Sequence, residues 1–276
     1  MTRSPVAPEE VHDEVRAVTQ RHLKAVDAAA PGLIRALYLT GSVALGDYQP
    51  GRSDIDFMAF TSRPCGEADI ELLRGVHAQL RAPTYYDGSY VIWRDEPKAP
   101  ADEPVRPHLV GGEFRVANDS ALTPSTWTEF TKYAIAVRGP AAGSIGVRVS
   151  RERLNEWNLA NLNGYWLNLA TRAAAYYDGK DPAATEEAEF VCWGTLGPAR
   201  LHYTLATGDI TSKTGAGRYA LEHFPDYADL ISAALTWRAT GEGEFTVGTG
   251  RRATDLVKDI VADANRCWVS GSAAGH

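Results

Sequence analysis

The sequence predicts an α/β N-terminal domain built on a small mixed sheet, followed by an all-α domain. Three observations carry this expectation. Strand-like runs, apolar with β-branched and aromatic residues, fall in the first half, at 33–40, 54–61 and 85–93. From residue 150 onward the apolar residues recur almost wholly at helical spacing. Between the halves, Arg138-Gly139-Pro140 stops the pattern and a run of small residues follows at 141–146. The expected organisation is a disordered N-terminus over 1–8, a first domain over 9–145, a helical domain over 146–269 and a disordered tail over 270–276.

In chain order, 9–29 reads as a helix, since Val11, Val15, Val18, Leu23 and Val26 lie near a 3.6 period behind acidic first-turn residues. Pro31-Gly32 ends it, and 33–40 is a buried strand. Gly41-Ser42 opens a short helical piece, a turn runs over 46–53, and 54–61 is the second strand. An amphipathic helix spans 69–80, with Ile70, Leu73, Val76 and Leu80 on one stripe. The alternating aromatic run 85–93 is the third strand. A charged, Pro-rich loop is expected over 94–107, an edge strand over 113–116 and a helix over 125–137. The second half is expected to hold helices at 150–177, 186–206, 213–223, 227–240 and 249–269.

Composition narrows the function. No apolar run approaches the roughly 20 residues that span a bilayer, and the first ten residues lack a secretory core. Cys65, Cys192 and Cys267 are far apart and odd in number, which suits a reduced cytoplasm and no metal-ligand spacing. A net charge of −7 argues against nucleic acid and leans toward a cationic small molecule. The expected state is a cytoplasmic monomer with no membrane partner.

The chemistry concentrates in the stretch from Leu39 to Phe57. On a strand, side chains alternate, so Asp54 and Asp56 share a direction while Ile55 and Phe57 take the other. Paired carboxylates repel unless a cation lies between them. Mg²⁺ takes hard oxygen ligands, commonly one or two carboxylates plus substrate phosphates. Gly41 permits close backbone approach to a phosphate, and the Ser42 and Ser53 hydroxyls can bond phosphate oxygens. The stretch reads as a site for a metal-bound nucleoside triphosphate.

Gly-Ser, a spacer and then Asp-x-Asp at the head of a strand resembles the signature of the nucleotidyltransferase superfamily related to DNA polymerase β. The second half, from Gly197 through the Thr207-Gly208 turn to Lys213 and on to Leu221, resembles the helical domain of the streptomycin/spectinomycin 3″/9-adenylyltransferases. Together the resemblance covers about residues 30–265. It implies a polymerase-β-like fold, ATP as co-substrate, two Mg²⁺ ions at Asp54 and Asp56, and phosphate-binding roles for Arg200 and Lys213. It also implies a third carboxylate on a neighbouring strand, as metal ligand or proton acceptor. Asp87, at the start of the third strand, takes that place. Trp237 or Tyr227 is available to stack on adenine.

The expected site lies in the cleft between the domains. The implied reaction is transfer of AMP from ATP to a hydroxyl of an aminoglycoside or aminocyclitol, with release of pyrophosphate. Spectinomycin is favoured over streptomycin, because His202 stands where streptomycin-modifying members carry Trp. A further acid from the helix ahead of the linker is not placed; Asp119 and Glu129 are nearest. His108, His202 and His223 read as packing or capping residues. The acidic segment 178–189 is either an acceptor-steering patch or a helix cap. The alternatives are the same chemistry on another small molecule or a protein, and a non-catalytic nucleotide-binding regulator.

Overall fold

Among the described residues, six strands form one mixed sheet in the first unit of the chain, Met1–Val149, and helices dominate the second, Ser150–His276. The computed structural model describes residues 7–80, 82, 84–93, 105–118 and 121–269. The disordered ends expected over 1–8 and 270–276 lie outside these, except that Pro8 opens a 3₁₀ turn, Pro8–Glu10.

The strands are β1 (Ile34–Thr40), β2 (Ile55–Thr61), β3 (Tyr86–Ile92), β4 (Arg106–Val110), β5 (Glu113–Ala117) and β6 (Ile135–Arg138). Their order is β5-β4-β3-β2-β1-β6. Among the described strands only β2 and β3 run parallel, and helix α3 (Glu67–Gln79) makes that crossover. Helix α1 (Asp13–Ala29) precedes β1, one-turn helix α2 (Gly41–Ala44) follows it, and α4 (Pro124–Tyr133) leads to β6.

The period of two sorts the sheet's faces. Tyr38, Met58, Phe60 and Val91 share one face and pack with Trp127 and Phe130 of α4. Two residues before Met58, Asp56 continues that face toward the start of β2, and β3 aligns Asp87 with it. On the other face, Phe57, Tyr86 and Tyr90 close around His22 of α1 and His77 of α3.

That second cluster carries a buried polar chain. His22, fully buried, places Nδ1 2.9 Å from the Tyr86 hydroxyl and Nε2 2.6 Å from that of Tyr90, which also lies 2.7 Å from His77 Nε2. Burial pushes the His77 pKa down to about 4, and burial followed by the His77 and Arg138 charges holds His22 well below its ordinary value. Both rings are therefore neutral in the fold. Above about pH 6.5, the ordinary histidine value, neither state takes up a proton and stability is level. As pH falls from there toward 4, only the unfolded chain gains protons, and stability is lost. At pH 5 the loss is up to about 2 kcal/mol per histidine. Thermal unfolding should show a flat midpoint above pH 7 and a steep fall between 6.5 and 4.5, shallower in His77→Gln. A midpoint unchanged down to pH 5 would remove the neutral-histidine assignment.

Three sequence expectations change. The helix expected over 125–137 stops at Tyr133, because Ala134 turns extended (ψ 135°) and Ile135 and Val137 enter β6 beside β1. Their β-branched side chains suit that edge. The loop expected over 94–107 gives way to β4 from Arg106; Pro107 is tolerated because the β3 ladder reaches only His108 and Leu109. Residues 94–104 lie outside the described residues. Helix α1 starts at Asp13, four residues late, where the His12 ring accepts the Glu14 N–H at 3.4 Å.

The second unit contains α5 (Arg151–Asn161), a π turn (Leu162–Trp166), α6 (Leu167–Tyr177), α7 (Ala188–Thr207), α8 (Lys213–His223), α9 (Ala228–Thr240), α10 (Val247–Ala264) and a final π turn (Asn265–Val269). Leu196, Ala199, Leu205, Ala216, Ile231 and Ile260 are among the buried residues of its core. Gly208 ends α7 in the left-handed conformation (φ 73°), and Arg151 Nη2 donates to the Leu205 carbonyl at 2.6 Å. A cation at that helix C-terminus complements its dipole.

Candidate active site

The Gly-Ser and Asp-x-Asp halves of the motif meet at one end of the β1–β2 pair. Thr40 is the register partner of Asp56, so Gly41 emerges directly beside that carboxylate. Gly41 has φ 61°, and a Cβ built on it would collide with the Asp56 carboxyl group. Only glycine satisfies both conditions. Ser42, in α2, donates its hydroxyl to the Asp54 carbonyl at 3.5 Å. Asp54 is exposed and Asp56 half-buried. The Asp56 carboxylate, the Ser42 hydroxyl and the Asp54 backbone thus meet around a glycine that a side chain could not replace.

The loop between the halves is self-closed. Asp47 N–H donates to the Ser42 carbonyl (2.8 Å) and Ser53 N–H to that of Gln49 (2.8 Å). The sequence expects Ser53 on a phosphate. Here its side chain, in a residue 6 % exposed, accepts the Gln49 N–H at 3.0 Å and closes the turn. The turn uses its oxygen as an acceptor, and a hydroxyl that accepts still carries an O–H to donate.

Asp87 lies in register with Asp56 across the parallel pair, as the third-carboxylate expectation requires. Its two oxygens, however, accept the N–H groups of Gly111 (2.5 Å) and Gly112 (2.9 Å). Those glycines form the β4–β5 turn, both at positive φ. Among the described residues, no group of three or more His, Cys, Asp or Glu is gathered for a metal ion. Asp87 thus faces Asp56 across the parallel pair and also ties the β4–β5 turn to β3.

Glu129 is what sequence reasoning did not place. This α4 residue, 7 % exposed, accepts the Gly41 N–H at 2.5 Å through Oε1. Asp119, the other acid considered, lies outside the described residues.

In the second unit, Arg200 of α7 reaches the corner from which α8 begins. Its Nε donates to the Thr211 carbonyl at 3.2 Å, two residues before Lys213, the first residue of α8. Arg238 of α9 reaches the same corner, 3.3 Å from Thr214 Oγ1, and was not singled out by its sequence context. Three cations thus sit beside one helix N-terminus. Trp237 precedes Arg238, half-buried and packed on the helical core. Tyr227 is engaged elsewhere, donating its hydroxyl to Asp259 at 2.6 Å.

Comparison with known proteins now bears on this geometry. A nucleotidyltransferase domain model matches residues 20–87, and a model of the C-terminal domain of aminoglycoside adenylyltransferase matches 183–263. Together they match more than half of the chain. The chain belongs to the aminoglycoside adenylyltransferase family and is a nucleotidyltransferase. Its fold is similar to that of the spectinomycin adenyltransferase AAD(9) from Enterococcus faecialis, crystallised with ATP and spectinomycin. The TM-score is 0.64 at 14 % identity, with 90 % of this chain and 99 % of the other covered. A search of curated proteins found no match. Among the described residues no helix of the enzyme is long and apolar enough to cross a membrane.

His202 of this adenylyltransferase-family enzyme is 2 % exposed, with Nδ1 2.8 Å from the Tyr219 hydroxyl and Nε2 2.9 Å from Asp263 Oδ2. Burial lowers its pKa more than Asp263 raises it. It is a packed residue, and so is His108, 5 % exposed with Nδ1 3.1 Å from the Arg106 carbonyl. His223 stacks on Tyr219. In the acidic segment, Asp181 accepts the Ala183 N–H (3.0 Å) and Glu186 the Glu187 N–H (2.9 Å), while Asp178, Asp181, Glu187 and Glu189 are exposed.

Proposed function

We propose that the enzyme transfers AMP from ATP to a hydroxyl of a cationic aminocyclitol or aminoglycoside, spectinomycin before streptomycin, and releases pyrophosphate. The observation that carries this reading is the Gly41 backbone seated on the Asp56 carboxylate beside Ser42 and Asp54, in a chain whose helical half matches the aminoglycoside adenylyltransferase C-terminal domain.

The donor set suits Mg²⁺: Asp54 and Asp56 offer hard oxygens, and the Gly41 backbone packs directly against the Asp56 carboxylate. Asp54 and Asp56 would hold the ion, which when bound supplies positive charge at the reacting phosphate. Ser42 turns its hydroxyl from the Asp54 carbonyl, 3.5 Å away, to donate to a phosphate oxygen. Arg200 and Lys213 neutralise the charge that grows on the leaving pyrophosphate, and Arg238 adds to their field. Asp87 accepts the proton of the acceptor hydroxyl as that oxygen attacks the α-phosphorus in line. Trp237 offers a face for the adenine. With little covalent work left to the protein, positioning is its main task.

The test is a panel of spectinomycin, streptomycin and other aminoglycosides with Mg-ATP, read by pyrophosphate release and product mass. Release with spectinomycin and a mass gain of one adenylyl group is the expected result. Silence across the panel with turnover on an unrelated acceptor would move the enzyme to another substrate class.

Arg200→Ala and Lys213→Ala should each weaken ATP binding by about tenfold, the worth of one charge-assisted hydrogen bond of about 1.5 kcal/mol, and AMP binding far less. Calorimetry with both nucleotides measures this, and equal losses would displace these residues from the β and γ phosphates.

The acidic segment offers a second check. Neutralising Asp178, Asp181, Glu186 and Glu187 together should raise the acceptor KM and flatten its salt dependence while leaving the KM for ATP unchanged. An acceptor KM that stays put at low and high salt would leave the segment as a helix cap alone.

A further inference from the structure

Gly41 is held from two sides by acids that come from different elements. Its Cα lies against the Asp56 carboxyl of β2, and its N–H points into Glu129 of α4. The N–H has no natural place in either neighbouring element. The β1–β2 ladder is registered as far as Thr40 and Asp56, and α2 starts at Gly41 with its first donors unpaired inside the helix. A backbone donor left there would cost stability. Glu129 supplies the acceptor with a carboxylate at 2.5 Å, 88 residues away in sequence. Placing an acid that is 7 % exposed near a pair of carboxylates is itself unfavourable. A neutral acceptor or a solvent-facing turn would meet the same donor at lower cost.

We infer that Glu129 is a positioning residue for nucleotidyl transfer: through the Gly41 N–H it fixes the backbone wall against which the Asp56 carboxylate rests and from which Ser42 departs. The inference rests on the proposed nucleotidyl-transfer site. Glu129 touches no substrate in this assignment and acts through Gly41. Rotation of the Thr40–Gly41 peptide would carry the Gly41 Cα off Asp56 and shift Ser42 with it. The two halves of the motif then lose their common reference. Such orienting partners change metal affinity or activity by about 10–100-fold when removed.

The experiment compares Glu129→Met, which keeps the length and fills the space without an acceptor, with Glu129→Gln, which keeps a carbonyl for Gly41. Three readouts are taken: amide hydrogen exchange at Gly41, Mn²⁺ affinity in the presence of α,β-methylene-ATP by paramagnetic resonance, and kcat and KM for the acceptor. Glu129→Met should expose the Gly41 amide to exchange, weaken Mn²⁺ by about tenfold or more and lower kcat, with the acceptor KM unchanged. Glu129→Gln should keep Gly41 protected and stay within about threefold of the parent enzyme in Mn²⁺ affinity, a neutral acceptor being the weaker partner. Two outcomes overturn the inference. One is a Met variant that melts earlier but keeps its Mn²⁺ affinity and kcat, which is the mark of a merely structural acid. The other is a Gln variant as impaired as Met, which would assign the role to charge instead of to the Gly41 bond. If Met does not fold, Gln alone decides, since loss of Gly41 protection there contradicts the assignment. A parent enzyme that adenylylates no acceptor would sink the proposed function, while Gly41 exchange would still report on Glu129.

Discussion

Asp56→Asn is expected to reduce nucleotidyl transfer by about 10³-fold or more, since metal charge at a reacting phosphate supplies several kcal/mol and each 1.36 kcal/mol is tenfold in rate. The fold should survive. Asparagine has the shape of aspartate, so the contact with the Gly41 Cα is kept, and one charge leaves a repelling pair. The two effects separate cleanly here because Asp56 lies at the entrance of β2, beyond the buried run Phe57–Phe60. Circular dichroism and melting should match the parent while pyrophosphate release disappears. Asp54→Asn should behave alike, with less effect on packing because Asp54 is exposed. Robust turnover by Asp56→Asn at ordinary Mg²⁺ would falsify the metal assignment.

Local order was legible and long-range closure was not. Gly41, Ser42, Asp54 and Asp56 lie within sixteen residues, and period-two alternation places Asp56 on the Met58 face, while β2 starts at Ile55 and leaves Asp54 just ahead of the strand. Reading 85–93 as a strand put Asp87 near the start of a neighbour, but its parallel register with Asp56 is a property of the fold. Glu129 did not emerge, because its meeting with Gly41 depends on which face of the sheet α4 covers, and that is set by Trp127 and Phe130. The same holds for Arg238, which reaches Thr214 only once α9 is packed on α8, and for the His202–Asp263 pair, 61 residues apart. β6 was missed for a different reason. Ile135 and Val137 fit a helical stripe as well as an alternating strand, and a four-residue edge strand is too short for periodicity to decide. Ser53 shows what hydroxyl reading leaves out: the residue type suits a phosphate, and the contact of its oxygen with the Gln49 N–H across the turn is not announced by the sequence.

Asp87→Asn should cut turnover by about 10²–10⁴-fold, the usual contribution of a general base, with Mg-ATP affinity nearly intact. The structure adds a second consequence. Asp87 accepts one backbone N–H on each oxygen, from Gly111 and Gly112. In the amide, one of those oxygens becomes an NH₂ that faces another donor. A lost bond and an unpaired donor cost about 1–3 kcal/mol, and the cost falls on the β4–β5 turn. Lower turnover alone is then ambiguous between a missing base and a loosened hairpin. Hydrogen exchange at Gly111 and Gly112 resolves the two, together with Asn substitution at an unrelated hairpin contact, Glu113, which pairs with Arg115 on β5. A base predicts that turnover falls far more in Asp87→Asn than in Glu113→Asn at comparable hairpin exchange. Faster exchange at both glycines with turnover preserved would leave Asp87 as a strut of the hairpin. A parallel fall in nucleotide affinity and rate would make it a ligand of the nucleotide-bound metal instead of the base.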